Sequence, residues 1–477
     1  MVLDPDSCYG AVKSHDVRFD GRFFTGVTST RIYCRPVCKA KVPKRENCRF
    51  FPSAAAAEGE GFRPCLRCRP ELAPGNASID AAQRLAQSAA SLIEDGMAQG
   101  NGLDYIAKQL GVSDRHLRRV FEGQFGVAPI AFAQTQRLLL AKRLLTDTAM
   151  SATDIAYASG FQSLRRFNAL FKERYRLTPS DLRKTTKHGE VQDYFAFELA
   201  YRPPLDWTHL LNFLGDRSIA QVEHVERQRY HRTLRIVDRA EQHLGWIEVS
   251  RHKTKSVLSV HVSATLAKVL PQVLARVKRL FDLSCQPQEI VAGLGEWAQR
   301  NAGLRLPGAF DGFELAVRAV LGQQITVRAA TTLAGRFAAA FGDEIKTPFT
   351  SLRRVFPTAQ SVAKRSVDDI AKLGIIATRT KTILALARAI SSGAMVLEPS
   401  ANVDETLAEL KQIPGIGDWT AQYIAMRALA WPDAFPHTDF GVMKAMDESN
   451  VKRVLARAEA WRPWRAYAVM HLWHSLE

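Results

Sequence analysis

The chain has 477 residues, of which 46% are hydrophobic, enough for about three domains that each bury a core. Its 65 Lys and Arg residues outweigh 48 Asp and Glu residues to give a net charge of +17, which favours a polyanion such as nucleic acid as partner. No stretch reaches the roughly 18 apolar residues of a membrane span and the N-terminus lacks a secretory signal pattern, so we expect a cytoplasmic protein without a membrane partner.

Residues 1–75 contain six of the seven cysteines. Three residues separate Cys34 from Cys38, and two separate Cys65 from Cys68. Four thiolates at this spacing predict one tetrahedral Zn²⁺ site in a small α+β domain, within which the run 17–24 has a β-like pattern. A purely structural metal is the commoner use of four cysteine ligands, so a structural zinc protein is one open alternative.

The cysteine pairs lie among basic residues that would attract a DNA phosphate, namely Arg35, Lys39, Lys41, Lys44, Arg45, Arg63, Arg67 and Arg69. The stretches RIYCRPVCKAKVPKREN and GFRPCLRCRPE resemble the methyl-acceptor domain of the Ada family. The resemblance implies that Cys34 accepts a methyl group irreversibly from a methylphosphotriester, while Cys38, Cys65 and Cys68 remain plain ligands. Methylation would remove one formal negative charge from the site, and we expect the methylated domain to bind DNA more tightly.

Residues 79–185 have helical periodicity and contain one unit twice. Ile106, Ala107 and Gly111 recur at the same spacing as Ile155, Ala156 and Gly160, and residues 134–145 between the copies predict one linking helix. Small residues where two helices meet predict an all-α tandem helix-turn-helix domain. The second helices carry side chains suited to DNA, which are Arg115, Arg118, Arg119, Arg165 and Arg166. A solvated charged face on an ordinary helical bundle is the alternative.

This region resembles AraC-type DNA-binding domains, and its place behind the cysteine domain is the arrangement of the Ada family. The resemblance implies transcriptional activation at promoter operators in double-stranded DNA, contact with RNA polymerase and association with the nucleoid. The Ada family also has a Pro-Cys-His-Arg active site for O6-alkylguanine, and this tetrapeptide is absent from the sequence. Direct repair of O6-alkylguanine is therefore not expected.

Residues 192–285 mix alternating runs at 195–201, 245–250 and 256–262 with a helical run at 266–280, which predicts an α+β domain. Residues 286–477 predict an all-α domain, so the fold class is multidomain and mainly α. Within it, ELKQIPGIGDWTAQYIA at 409–425 predicts a helix-hairpin-helix. Gly415 and Gly417 would let backbone N–H groups approach a DNA phosphate.

From Phe195 to the C-terminus the chain resembles AlkA-type 3-methyladenine DNA glycosylases of the helix-hairpin-helix superfamily. The stretches that carry the resemblance are YRPPLDW, LPGAFDGFELAVRAVLGQQIT, IPGIGDWTA and WRPWRAYAVMHLW. It implies that Asp439 is the catalytic carboxylate, which stabilises positive charge on the deoxyribose. Bifunctional relatives carry a lysine at the position of Trp419, so strand cleavage through a Schiff base is not expected.

The resemblance also assigns the base pocket to Trp419, Tyr423, Trp473 and Gln323, with Phe440 where the family has a tyrosine. Gln324 stands at the wedge position, where the family has a leucine. The carbonyls of Lys411, Ile413 and Ile416 would coordinate a monovalent cation. The predicted activity is monofunctional excision of N-alkylated purines such as 3-methyladenine, and the alternative is a transcription regulator whose glycosylase module only binds DNA.

Overall fold

The computed structural model describes residues 4–74, 81–94, 98–148, 150–184, 193–238, 241–399 and 402–477. The chain forms two compact units. The N-terminal unit contains Met1–Pro203, His252–Ala275 and Leu283–Gln286, and the C-terminal unit contains Pro204–Arg251, Arg276–Asp282 and Pro287–Glu477. Within the described ranges, every helix is too short or too polar to cross a membrane.

The N-terminal unit begins with a four-stranded sheet and two short helices. The strands lie in the order β3 (Cys48–Phe51), β1 (Phe24–Val27), β2 (Ile32–Cys34) and β4 (Arg63–Pro64), and the helices are α1 (Pro5–Lys13) and α2 (Ala54–Gly59). Neighbouring strands are antiparallel except β2 and β4, which are parallel. The core between sheet and α2 contains Phe24, Tyr33, Phe51 and Phe62. The predicted small α+β domain is confirmed.

The predicted β-like run at 17–24 is wrong for most of its length. Val17–Phe19 forms a 3₁₀ helix, and the strand begins only at Phe24. The side chain of Asp16 accepts a hydrogen bond from the backbone N–H of Arg18 at 3.0 Å, which starts the helical turn. A local cap therefore overrides the alternating pattern.

The tandem helix-turn-helix region follows in the same unit. Its helices are α3 (Ala81–Glu94), α4 (Ala98–Gln109), α5 (Asp114–Phe125), α6 (Pro129–Asp147), α7 (Ala152–Ala158), α8 (Leu164–Tyr175) and α9 (Pro179–Lys184). The same turn closes α4 and α7, because Val112 N donates to Ala107 O at 3.0 Å and Phe161 N donates to Ala156 O at 2.9 Å. The repeat and the linking helix α6 are confirmed. The Pro, Gly and polar residues at 72–78 and 184–190 also predict linkers on either side of this region, and most of both segments lies outside the described residues.

The strands predicted in the third segment are divided between the two units. Strands β5 (Tyr194–Ala200) and β9 (Val257–Ser263) pair antiparallel in the N-terminal unit. Strands β6 (Glu223–Glu226), β7 (Arg229–Asp238) and β8 (Glu241–Arg251) form an antiparallel sheet in the C-terminal unit. The helical run predicted at 266–280 is a 3₁₀ helix, Ala264–Val269, followed by α11 (Leu270–Leu280).

Helices make up the rest of the C-terminal unit. They are α10 (Trp207–Asp216), α12 (Pro287–Leu294), α13 (Glu296–Gln299), α14 (Gly312–Leu321), α15 (Val327–Phe341), α16 (Ala359–Ala363), α17 (Val367–Ala371), α18 (Ala377–Ser391), α19 (Val403–Gln412), α20 (Asp418–Arg427), α21 (Phe440–Ala445), α22 (Val451–Ala458) and α23 (Arg465–His474). The α+β and all-α character predicted for the last two segments is confirmed, and the exact domain bounds stay a prediction.

Two ion pairs, one buried and one with a half-buried arginine, join α14 to the sheet of the C-terminal unit. Arg318 Nη1 lies 2.8 Å from Glu223 Oε2, and Arg232 Nη2 lies 2.7 Å from Glu314 Oε2. Paired charges can be buried because each satisfies the other. These pairs fix the end of α14, from which Gln323 and Gln324 follow.

Candidate active site and DNA-binding surfaces

A glycine turn joins α19 to α20. Gly415 has φ +91°, and a Cβ atom there would lie 2.2 Å from Thr382 Oγ1, so only glycine fits. Thr382 Oγ1 itself donates to Pro414 O at 2.7 Å and so holds the turn on α18. Gly417 is the N-cap of α20, and the space where its Cβ would stand is open. The start of α20 therefore has open space beside the hairpin at Gly417.

Asp439 lies at the N-cap of α21, where its carboxylate is held by three donors. Its Oδ1 accepts from Val442 N at 3.0 Å and from Trp473 Nε1 at 2.8 Å. Its Oδ2 accepts from Trp419 Nε1 at 2.8 Å. Helices α20, α21 and α23 thus bring together three residues that the sequence predicted for one site, and they hold the carboxylate in one orientation.

The predicted pocket residues line one cleft of about 1130 Å³. Trp419 and Tyr423 lie one turn apart on α20 with their rings stacked, the centroids 5.3 Å apart at 11°. Tyr423 and Trp473 lie 6.5 Å apart at 45°. Phe440 is 81% exposed and stands at the rim of the cleft. The cleft is therefore walled by aromatic faces beside a carboxylate.

Gln323 and Gln324 follow α14 at another edge of the cleft. Gln323 Nε2 donates to Gly415 O and to Thr420 Oγ1, both at 2.9 Å, and Arg379 donates to the Gln323 carbonyl. Gln323 therefore fastens this edge to the hairpin. Gln324 is exposed and has φ +53°, a left-handed conformation that turns the chain sharply before α15.

Two arginines and a phenylalanine at the back of the cleft were not predicted. Arg427 Nη1 donates to the Tyr423 hydroxyl at 2.8 Å, and Arg217 lies 3.8 Å over the ring of Phe213. Phe213 in turn stacks on Trp473 with centroids 6.4 Å apart. Burial would raise the pKa of Tyr423, but the positive charges of Arg427 and Arg217 outweigh it, and the pKa lies below its ordinary value.

Of Arg427, Arg217 and Phe213, only Arg427 could have been linked to the cleft from a local sequence pattern. Arg427 follows Tyr423 by four positions on α20, a spacing that places both on one helix face. Phe213 lies on α10 and Arg217 is its C-cap, about 200 residues before the hairpin, and no local pattern links them to it.

The four cysteines predicted as metal ligands form one cluster in the N-terminal unit. The sulfurs of Cys34, Cys38, Cys65 and Cys68 all lie within 4.8 Å of one another. The parallel pairing of β2 and β4 brings Cys65 beside Cys34 at the end of β2, because Cys65 N donates to Tyr33 O at 3.0 Å. This geometry, with soft thiolate donors, fits a tetrahedral metal site.

The cysteines differ in their surroundings. Cys68 Sγ accepts a hydrogen bond from Arg35 N at 3.3 Å, and Cys68 and Cys34 are half-buried while Cys38 and Cys65 are buried. Arg35 forms a buried ion pair with Asp20 and donates from Nη1 to Cys68 O at 3.1 Å. Arg35 thus stabilises the backbone around Cys68. The prediction that Arg35 attracts a DNA phosphate is therefore corrected. Lys39, Lys41, Lys44 and Arg67 remain exposed.

The two predicted DNA-reading helices, α5 and α8, begin alike. Ser113 Oγ accepts from His116 N at 3.3 Å, and Ser163 Oγ accepts from Arg166 N at 3.4 Å. Four of the five predicted arginines are exposed in the first halves of these helices, namely Arg115, Arg119, Arg165 and Arg166. Arg118 is half-buried and pairs with Asp114 at 2.7 Å.

Four family models match the chain in the order predicted. They are the metal binding domain of Ada at residues 7–71, a helix-turn-helix domain at 106–185, the AlkA N-terminal domain at 196–311, and the HhH-GPD superfamily of base excision DNA repair proteins at 317–473. The probable bifunctional transcriptional activator/DNA repair enzyme AlkA of Mycobacterium tuberculosis is 35% identical over all of this chain and 97% of its own.

The chain belongs to the AlkA family of bifunctional activator and repair proteins. It combines a DNA-repair domain with a DNA-binding regulatory domain and a metal-binding domain, as the sequence predicted. DNA-3-methyladenine glycosylase 2 of Escherichia coli is 33% identical and covers 58% of this chain and 97% of its own length. The solved 3-methyladenine DNA-glycosylase of Archaeoglobus fulgidus has a TM-score of 0.48 at 20% identity and covers 58% of this chain and 97% of its own.

Proposed function

We propose that the C-terminal unit of this AlkA-family protein removes N-alkylated purines such as 3-methyladenine from double-stranded DNA. The proposal rests on two hydrogen bonds. The indole N–H groups of Trp419 and Trp473 donate to the Asp439 carboxylate and hold it at the edge of an aromatic cleft. N-alkylation makes the purine cationic, which favours contact with aromatic faces and weakens the glycosidic bond.

In the proposed reaction the damaged nucleotide flips into the cleft and the base stacks on the rings of Trp419, Tyr423 and Trp473. As the bond between C1′ and the base nitrogen breaks, its electrons leave with the base and positive charge develops on the deoxyribose. The Asp439 carboxylate stabilises this charge, and water adds to C1′ and gives up a proton. Trp419 offers no amine, so no Schiff base forms and the strand stays intact.

The hairpin would grip the backbone next to the damaged nucleotide. The open space at Gly417 lets a phosphate reach the N–H groups at the start of α20. Gln324, exposed and sharply turned, would fill the gap that the flipped base leaves. Carbonyls of Lys411, Ile413 and Ile416 are proposed ligands of a monovalent cation that would strengthen this grip, and Phe440 at the rim would contact the flipped base.

The test incubates the full chain with a duplex that contains alkylated purines and measures the released bases by chromatography. We expect free 3-methyladenine from the wild type, and at least a 100-fold slower release from D439N with an intact strand. A protein that binds this DNA without releasing base would be a regulator with a DNA clamp. Unchanged release by D439N would assign the catalysis to another group.

We propose that the cysteine cluster holds Zn²⁺, which keeps the sulfurs as thiolates, and that Cys34 is the methyl acceptor. The N–H···S bond from Arg35 lowers the electron density on Cys68 Sγ. Among the described residues, no such donor is seen at Cys34, which lines a cavity of about 390 Å³ together with Cys38 and Cys65. Of these three cysteines, only Cys34 is half-buried and the other two are buried. In the transfer, Cys34 Sγ bonds to the methyl carbon while the carbon–oxygen bond breaks, and the electron pair leaves with the phosphodiester.

Mass spectrometry of the full chain after incubation with methylphosphotriester DNA tests this transfer. We expect one methyl group on Cys34, and none on a C34S variant that keeps the other three ligands. Methylation at Cys68 would overturn the assignment, and a chain that holds zinc yet takes up no methyl would be a structural zinc protein.

The proposed regulatory output is activation of transcription from an operator bound by α5 and α8. Their arginines would contact phosphates and base edges, and bound protein would contact RNA polymerase at the nucleoid. The double variant R165A/R166A should lose operator affinity and reduce its salt dependence, while base release by the C-terminal unit remains.

A further inference from the structure

A second cluster of metal-ligating side chains lies in the C-terminal unit, apart from the four cysteines. The ligand atoms of His209, His474 and Glu477 all lie within 4.8 Å of one another. Glu477 Oε2 is 3.2 Å from His209 Nδ1 and 3.1 Å from His474 Nδ1, and the two imidazole rings meet edge to face with centroids 4.7 Å apart. Nothing in the proposed base excision uses these side chains.

Helices α10 and α23 build this cluster. Asp206 accepts a hydrogen bond from the backbone N–H of His209 at 2.9 Å, which fixes the first turn of α10. His474 is the last residue of α23, and Glu477 three positions later lies on the same side. The side chain of His209 is 8% exposed and that of Glu477 is 59% exposed, so the cluster is closed on one side and open to water on the other.

We propose that His209, His474 and Glu477 bind a divalent transition metal ion of the Zn²⁺ class. Two imidazole nitrogens and one carboxylate oxygen are a typical ligand set for Zn²⁺ and its neighbours, whereas Mg²⁺ and Ca²⁺ prefer oxygen alone. With metal–ligand bonds of about 2.0–2.1 Å, a tetrahedral ion spaces its ligands about 3.3 Å apart, close to the spacings at Glu477 Oε2. Water would complete the open side.

Bound metal would join α23, whose Trp473 lines the base cleft, to α10, which packs behind that ring. Phe213 lies one turn after His209 on α10, and it stacks on Trp473, the residue before His474. Trp473 also donates to Asp439. The ion would therefore lock α10 against α23 behind the ring of Trp473, with a structural effect on the glycosylase and no part in its chemistry.

The experiment measures zinc content and thermal stability of the full chain. After dialysis against buffered micromolar free Zn²⁺, elemental analysis should find one more zinc ion per chain in the wild type than in H474A or E477Q. Added zinc should raise the unfolding temperature linked to the C-terminal unit in the wild type and leave it unchanged in both variants. The comparison between wild type and variants holds whether or not the cysteines bind metal and whether or not the protein excises bases.

The matched control is H224A, because His224 and Glu226 form an exposed pair at 3.5 Å that lies outside the cluster. Its zinc content should equal that of the wild type. Glu477 is largely exposed, so E477Q leaves the packing intact if replacement of His474 disturbs the fold. Equal zinc content in the wild type and in E477Q would overturn the proposal.

Discussion

The guanidinium of Arg143 on α6 lies 4.6 Å over the ring of Phe197 on β5 and donates to Glu198 O at 2.7 Å. Arg143 is 4% exposed, and burial lowers its pKa to about 10 although Asp147 partly offsets this effect. The helix between the two helix-turn-helix copies is thus joined to the first strand of the AlkA-type segment within the N-terminal unit.

We expect R143A to lower the free energy of unfolding of the N-terminal unit by about 2–4 kcal/mol, since it leaves a cavity and an unsatisfied carbonyl. Denaturant unfolding of the full chain measures this loss. The matched control R115A removes an exposed arginine and should change stability by less than about 0.5 kcal/mol. If R143A lowered the free energy of unfolding as little as R115A, the contacts of Arg143 with Phe197 and Glu198 would add little stability.

Glu58 should make stability depend on pH. This side chain is 3% exposed and accepts from the Tyr33 hydroxyl at 3.0 Å and from Thr135 Oγ1 at 2.9 Å. Burial raises its pKa from 4.5 to about 7, although both hydroxyl donors and the positive charges of Arg174 and Lys142 act against this shift.

Because the folded state holds the Glu58 proton more tightly than the unfolded state, its contribution is fully present below pH 4.5 and is lost as pH rises through 7. We expect a loss of about 3 kcal/mol at most, and E58Q should remove it. Unfolding of both proteins between pH 5 and pH 8 tests this, since the difference between them cancels the pH dependence of metal binding. An equal pH dependence of the unfolding free energy in the wild type and E58Q would contradict the prediction.

Trp473 should position Asp439, the proposed catalytic carboxylate, through its indole N–H. W473F keeps an aromatic face for the base but loses the donor to Asp439 Oδ1, so we expect single-turnover excision to slow by about 10- to 100-fold. The affinity of W473F for a duplex with an abasic site should stay within about threefold of the wild type. Slower excision with unchanged affinity would show that Trp473 positions Asp439 and does not merely bind DNA. The control W297F changes a tryptophan of α13 away from the cleft, and an equal slowing there would argue for a general packing effect.

The hairpin glycines should respond differently to alanine. G415A forces a Cβ against Thr382 at a positive φ, so we expect a loss of about 1–3 kcal/mol in stability together with weaker DNA binding. G417A meets open space and a permitted φ of −93°, so it should fold normally and weaken only DNA binding. Calorimetry and binding to an abasic duplex measure both effects, and normal DNA affinity in G417A would contradict a phosphate at this turn.

The local patterns of the sequence predicted the elements that local chemistry controls. The cysteine pairs, the glycine hairpin and the repeated helix-turn-helix each depend on a few neighbouring residues, and the structure contains all three. The pattern at 17–24 was misleading because its alternation is weak and the cap at Asp16 favours a helical turn.

The sequence by itself determined which domains are present and which side chains are candidates for chemistry, because their spacing is local and their residue types are specific. Only the tertiary structure decided that Trp419 and Trp473 hold opposite oxygens of Asp439, and that Phe213 of α10 backs Trp473. It also removed Arg35 from the residues predicted to attract a DNA phosphate, because Arg35 pairs with Asp20. Such contacts join residues far apart in the chain, and they follow from how helices and strands pack when each buries its own apolar face.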